Sequence, residues 1–149
     1  MKHYSLTTLF TLTVLALGLT SCKDYTYTLN EQPIFTSPEL FSNYDISDTS
    51  LKSCTEQAIF DQNVTRANQL THLNCSNAGI SELKGLEIFT SLTHINLSGN
   101  KLVQVKPLLF LSQLQMVALE TNKHLDCRDG RQLTNQVNGS VKLPAHCSK

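Results

Sequence analysis

Leu70-Thr-His-Leu-Asn-Cys75, Leu92-Thr-His-Ile-Asn-Leu97 and Leu114-Gln-Met-Val-Ala-Leu119 are one phrase written three times, each starting 22 residues after the last. A fixed period of this size signals stacked supersecondary units, none of which can bury its apolar face alone. Aligned on the phrase, the apolar positions coincide. The first unit has Leu70, Leu73, Cys75, Ile80, Leu83, Leu86 and Phe89, and the second has Leu92, Ile95, Leu97, Leu102, Val105, Leu108 and Leu111. The third keeps Leu114, Val117 and Leu119, then sets Leu125 one place late. Inside each phrase the last two apolar residues are two apart, which is the period of a strand. The spacing then moves to roughly three, which suits a tight 3₁₀ return. Asn100 and Asn122 each follow a strand leucine by three residues, where a buried amide can satisfy backbone groups that a turn leaves unpaired. The first unit has Ala78 at that position, with Asn77 one earlier, so the asparagine ladder is expected to fail at that end.

The pattern Leu-x-x-Leu-x-Leu-x-x-Asn-x-Leu over 22 residues closely resembles the leucine-rich repeats of short bacterial, internalin-like proteins. Ser76-Asn-Ala-Gly-Ile80 and Val105-Lys-Pro-Leu108 resemble stock phrases of the same type. The likeness runs from Leu70 to about Cys127. It implies an α/β fold of one kind: a short right-handed leucine-rich-repeat solenoid, with parallel β-strands on the concave face and 3₁₀ or turn returns. The family usually binds proteins. Three units expose an apolar edge at each end, so terminal elements must cover them.

The start of the chain differs in kind. Lys2 and His3 precede an uncharged apolar run, Leu9 to Leu19, too short for a comfortable transmembrane span. Leu19-Thr20-Ser21-Cys22 resembles the lipobox of bacterial lipoproteins, which implies cleavage before Cys22 and acylation of its thiol. The expected address is the bacterial cell envelope, with the membrane reached through the lipid anchor. Lys23 stands where an Asp would favour the inner membrane in enteric-type sorting, so the outer membrane is expected.

The domain plan that follows is a leader over 1–21, a tether over 22–47, an N-terminal helical cap over 48–69, three repeats over 70–126 and a cysteine-closed cap over 127–149. From Lys23 to Asp45 nothing alternates long enough for a strand, and Ser37-Pro-Glu-Leu40 reads as one helical turn. Tyr25, Tyr27, Phe35, Phe41 and Tyr44 make the tether too aromatic for a plain spacer, so its second half is expected to pack on the domain. Asp48 to Asn63 reads as a helix capped by Asp48, with Leu51, Cys54 and Ala58 on one face.

With Cys22 assigned to lipid, four cysteines remain, and an exported chain favours two disulfides. In a stack, Leu97 and Leu119 stand between Cys75 and the C-terminal end, roughly 10 Å away and beyond disulfide reach. That leaves Cys54–Cys75 and Cys127–Cys147. Leu125-Asp-Cys127 with a later Cys147 also resembles the cysteine cap of exported leucine-rich-repeat domains. The competing reading makes His124, Cys127, His146 and Cys147 zinc ligands, but His146 and Cys147 are neighbours and there is no C-x-x-C.

Between the leucines, His72, Asn74, Ser76, His94, Asn96, Ser98, Met116, Ala118 and Glu120 face outward. Of these, His72, Asn74, His94, Asn96, Met116 and Glu120 form the candidate binding surface. Duplication alone can also reproduce such exposed residues. Parallel strands would set His72 beside His94, a pair that could grip a metal ion only with a third ligand, so no metal or cofactor is expected. The chain has no phosphate loop, dinucleotide fingerprint, H-E-x-x-H or nucleophile elbow. Catalysis is therefore not expected. Lys+Arg and Asp+Glu balance at 12 each without a basic cluster, which argues against nucleic acid. The expectation is a monomeric module that binds an unidentified protein or envelope polymer. A structural envelope lipoprotein without a specific ligand is the alternative.

Overall fold

A computed structural model describes residues 38–148 and, ahead of them, the backbone of two short strands at Thr28–Leu29 and Gln32–Pro33. The expected leader, Cys22, Tyr25, Tyr27 and Phe35 lie outside the described residues. Thr28–Leu29 (β1) pairs antiparallel with Gln32–Pro33 (β2), although no alternating pattern announces a strand there. Two residues a side can pair without any apolar face to bury.

The remainder is mixed α/β. A 13-residue helix, Thr49–Asp61 (α1), precedes a four-stranded parallel sheet in sequential order. Its strands are His72–Asn74 (β3), His94–Asn96 (β4), Met116–Ala118 (β5) and Ser140–Lys142 (β6). Short 3₁₀ returns at Leu86–Ile88 and Lys106–Phe110 carry the chain from β3 to β4 and from β4 to β5. A second helix, Cys127–Gln136 (α2), replaces the return before β6. The first three strands stand in the register of the sequence period: His72 pairs with His94 and then Met116, and Leu73 with Ile95 and then Val117. Every apolar residue aligned above is buried, and together they form one cluster.

Parallel strands as short as these need help at the turns. After β3, β4 and β5 a residue at the same register takes a left-handed conformation: Asn77 (φ 55°), Gly99 (φ 72°) and Thr121 (φ 59°). Gly99 is required for a second reason, because a Cβ there would lie 2.1 Å from Asn77 Oδ1. Two carboxamides then hold the turns together. Asn100 Nδ2 donates to Cys75 O at 2.9 Å and Leu97 O at 2.8 Å, while its Oδ1 accepts from Ile80 N at 3.0 Å. Asn122 repeats this, with Nδ2 donating to Leu97 O at 3.0 Å and Leu119 O at 2.8 Å, and Oδ1 accepting from Leu102 N at 3.2 Å. Each amide thus binds the turn of its own unit and of the unit before. An amide at Ala78 would have no preceding turn to bind, because α1 stands there and its helix already supplies its own hydrogen bonds.

The end of the tether and the N-terminal cap each differ from the sequence expectation in one respect. Residues 38–46 form no helical turn and run irregularly. Side-chain packing sets their course: Phe41 stacks on Tyr44 at 5.7 Å, and both rings meet the edge or face of buried Phe89. Phe41 N also donates to Val64 O at 2.8 Å. In α1 the buried stripe is Leu51, Thr55 and Ile59, with Cys54 and Ala58 half-buried beside it. Thr55 tolerates burial because its hydroxyl donates to Leu51 O at 2.8 Å. At the other end, β6 carries no copy of the repeat phrase. Gly139 lets it approach, since a Cβ there would lie 1.9 Å from Gln115 O, and Ser140 N donates to that oxygen at 2.8 Å.

Replacing Asn122 by Ala should cost about 1–3 kcal/mol, because buried Leu102 N loses its side-chain acceptor while Leu97 O and Leu119 O each lose one of their donors. Urea unfolding of the two proteins, compared at equal slope, measures it; a loss below about 1 kcal/mol would show that the amide does not hold the stack.

Candidate functional site

The outward residues of the sheet form rows across the strands. One row is His72, His94, Met116 and Ser140; the next is Asn74, Asn96, Ala118 and Lys142. Beside β3 rises α1, whose Ser50, Ser53, Gln57 and Asp61 make the wall of a groove of about 980 Å³ floored by these rows except Ser140. Glu120 is not among the groove's lining residues; its carboxylate accepts from Ser98 Oγ at 2.8 Å in the third row. The structure therefore gathers His72, Asn74, His94, Asn96 and Met116 into one concavity and sets Glu120 to its side.

The wall is fixed at three points. Asp48 caps α1 through Oδ1, which accepts from Leu51 N at 3.0 Å, while Oδ2 accepts from Ser81 N (2.8 Å), Ser81 Oγ (2.9 Å) and Glu82 N (3.2 Å). One carboxylate thus joins the helix start to the first unit. The Cys54–Cys75 disulfide joins its middle to the end of β3, with Cα atoms 5.8 Å apart. Gln62 Nε2 donates to His72 O at 2.8 Å and occupies the free edge of β3. A groove with a clamped wall needs little ordering when a ligand enters.

The floor is equally well oriented. The imidazoles of His72 and His94 stack with centroids 4.6 Å apart and planes 13° from parallel. The Nδ1 atom of each lies against the hydroxyl of the preceding threonine, at 2.8 Å for Thr71 and 2.9 Å for Thr93. Thr93 Oγ1 also lies 3.1 Å from Thr71 O; a hydroxyl proton directed there leaves the oxygen to accept from His94 Nδ1–H, with Nε2 then carrying the lone pair. Asn74 and Asn96 accept from Ser76 N (3.4 Å) and Ser98 N (3.0 Å), which turns their NH₂ groups away from those turns.

At the far end, Cys127 and Cys147 form a disulfide that ties the first turn of α2 to the chain's last 3₁₀ turn. Cys127, Cys147 and His146 cluster within 4.8 Å, but the disulfide takes both thiolates and His146 Nε2 lies 3.0 Å from Leu125 O. The zinc reading thereby loses its ligands. Sequence reasoning missed the wall of α1 and Lys142. The only signal for Lys142 was the alternation Ser140-Val-Lys-Leu143 after a glycine; the wall residues have none, being polar positions on a helix whose neighbour is set by a distant disulfide. Neither a protein-family model nor a curated protein matches the chain.

Asp48 generates a pH prediction. Partial burial pushes its carboxyl up, but the N–H groups of Ser81, Leu51 and Glu82 and the Ser81 hydroxyl outweigh this and hold it below its ordinary value of 3.8. A depressed folded-state value contributes stability above the unfolded value, and that stability is lost as pH falls through the folded one. Asp48→Asn should therefore unfold at a lower temperature than wild type near neutrality, with the gap closing below pH 3.8. A gap that stays constant down to acid pH would refute the assignment.

Proposed function

We infer that the chain is a lipid-anchored leucine-rich-repeat module of the bacterial envelope that binds an extended segment of another protein, or an envelope polymer, in the groove between α1 and the sheet. One observation carries the reading. Three strands follow at a 22-residue interval and in register, with every inward residue buried and the outward ones aligned in continuous rows that are polar on the first two strands. That pattern supports a right-handed repeat solenoid, in which the concave face is the surface left free by the packing. The lipobox-like Leu19-Thr-Ser-Cys22 supports the anchor, and no helix among the described residues is long and apolar enough to cross a membrane.

The form of the partner follows from dimensions. Four strands at about 4.8 Å spacing give a floor only ~14 Å across, small against a standard protein interface. A narrow ligand suits it better than a flat one. The chemistry on offer is amide donors from Asn74 and Asn96, the Lys142 ammonium, and the apolar Met116 and Ala118 between them. This set fits a chain with repeated carbonyl or hydroxyl groups. No group in the groove is arranged for bond making, so the reading includes no reaction.

Substituting His72, Asn74, His94 and Asn96 together by Ala should abolish cross-linked partners recovered from intact cells while leaving the unfolding temperature nearly unchanged, since none of the four is buried. Unchanged partners would move the function off the groove and leave a structural lipoprotein without a ligand. Separately, Cys22→Ser should release the protein from the membrane fraction and leave its leader uncut. A Cys22→Ser chain still recovered with membranes after a salt wash would remove the lipid anchor.

A further inference from the structure

We propose that His72, His94 and Met116 form a site for a soft monovalent transition metal, Cu(I), at the centre of the groove floor. It goes beyond the partner-binding reading and does not depend on it. A stacked histidine pair alone lacks a third ligand. The sheet register supplies one, because Met116 on β5 pairs with His94 on β4 as His94 pairs with His72 on β3. One row across three strands therefore reads imidazole, imidazole, thioether.

Three features separate this row from an ordinary exposed one. First, each imidazole has its Nδ1 against a threonine hydroxyl, and the contact of Thr93 Oγ1 with Thr71 O favours the proton of His94 on Nδ1. Metal-ligating histidines use this arrangement: the ring nitrogen away from the metal is held by a hydrogen bond, which orients the other lone pair. Second, His94 is half-buried and fixed, whereas His72 and Met116 on either side are exposed, Met116 at 47%. The outer two can lean toward an ion above the His94 Nε2, as a three-coordinate site requires. Third, no carboxylate belongs to the row. A hard cation such as Mg²⁺ or Ca²⁺ wants oxygen ligands, while thioether with imidazole selects Cu(I).

The same threonine-histidine dipeptide occurs in both units, which explains the pair by duplication; duplication does not explain the thioether. The third unit breaks the copy at this position, with Gln115-Met116 in place of Thr-His. That departure turns a two-imidazole strip into a mixed nitrogen–sulfur one.

The test is a competition titration of the full chain with Cu(I) against a coloured chelator, without oxygen and with ascorbate as reductant, so that the disulfides stay intact. The Cys22 thiol and other sulfur groups also take Cu(I), so the readout is the difference between variants. Wild type should bind one equivalent more than the His72→Ala/His94→Ala double variant. Met116→Leu should weaken that equivalent by about tenfold or more while leaving Zn(II) binding at the histidines unchanged. Ag(I), a redox-inert substitute, should shift the ¹⁵N resonances of Nε2 in His72 and His94 and not those of Nδ1. Equal stoichiometry in wild type and the double variant, an unaltered affinity in Met116→Leu, or silver shifts at Nδ1 would each overturn the site.

Discussion

Two buried carboxamides make this architecture continuous. An apolar interior by itself would allow neighbouring units to slide or splay, since burial is non-directional. Asn100 and Asn122 remove that freedom. Leu97 O receives a hydrogen bond from each of them, so the middle unit is tied to both neighbours through a single oxygen. The amide oxygens then take the N–H groups of Ile80 and Leu102, fixing the return of one unit against the turn of the next. Slippage by one residue would strand several buried polar groups, each costing about 1–3 kcal/mol. The register of the outward rows, and with it the alignment of His72, His94 and Met116, is therefore set from inside.

A stack held this way still has ends, and the chain closes each with different chemistry. At the N-terminus α1 takes the place of a preceding unit, and its own hydrogen bonds make a third asparagine unnecessary. It is held by charge at Asp48, covalently at Cys54, and by an amide at Gln62. At the C-terminus β6 adds a fourth strand to the sheet, and α2 covers the last apolar edge with Leu133. Loops of about 20 residues closed by disulfides contribute roughly 3 kcal/mol each in the chain-entropy picture, which matters for a core of only three units. The edge that remains is short and bears Lys142, a charge that discourages pairing with another chain.

The legible part of the fold was whatever repeats. Period, strand positions, inward residues and the two asparagines all follow from self-similarity in the sequence, and so does the cap on α1, because Asp48 precedes a helical run. The illegible part was whatever occurs once. Strand β6 has a single inward valine and a glycine before it, and α2 is a polar ten-residue helix whose burial depends on Leu133 alone among its apolar side chains. The irregular course of 38–46 is set by packing on Phe89, a residue of the first return, so Pro38-Glu-Leu40 could read as a helical turn and still not form one. Local propensity is a weak prior when three aromatic rings can pack instead.

The groove shows the same division. Its floor was readable, since outward positions in a parallel stack align by arithmetic. Its wall was not, since α1 is held beside the sheet by contacts distant in sequence, Cys54 to Cys75, Asp48 to Ser81 and Gln62 to His72. This has a consequence for how the site varies. The floor is constrained by duplication and changes by departures such as Met116, whereas the wall is constrained at its three anchors and along its buried stripe. Ser50, Ser53, Gln57 and Asp61 carry none of those anchors. Ligand preference can therefore be retuned along α1 without disturbing the register beneath it, and the fixed imidazole row stays in place whatever the wall selects.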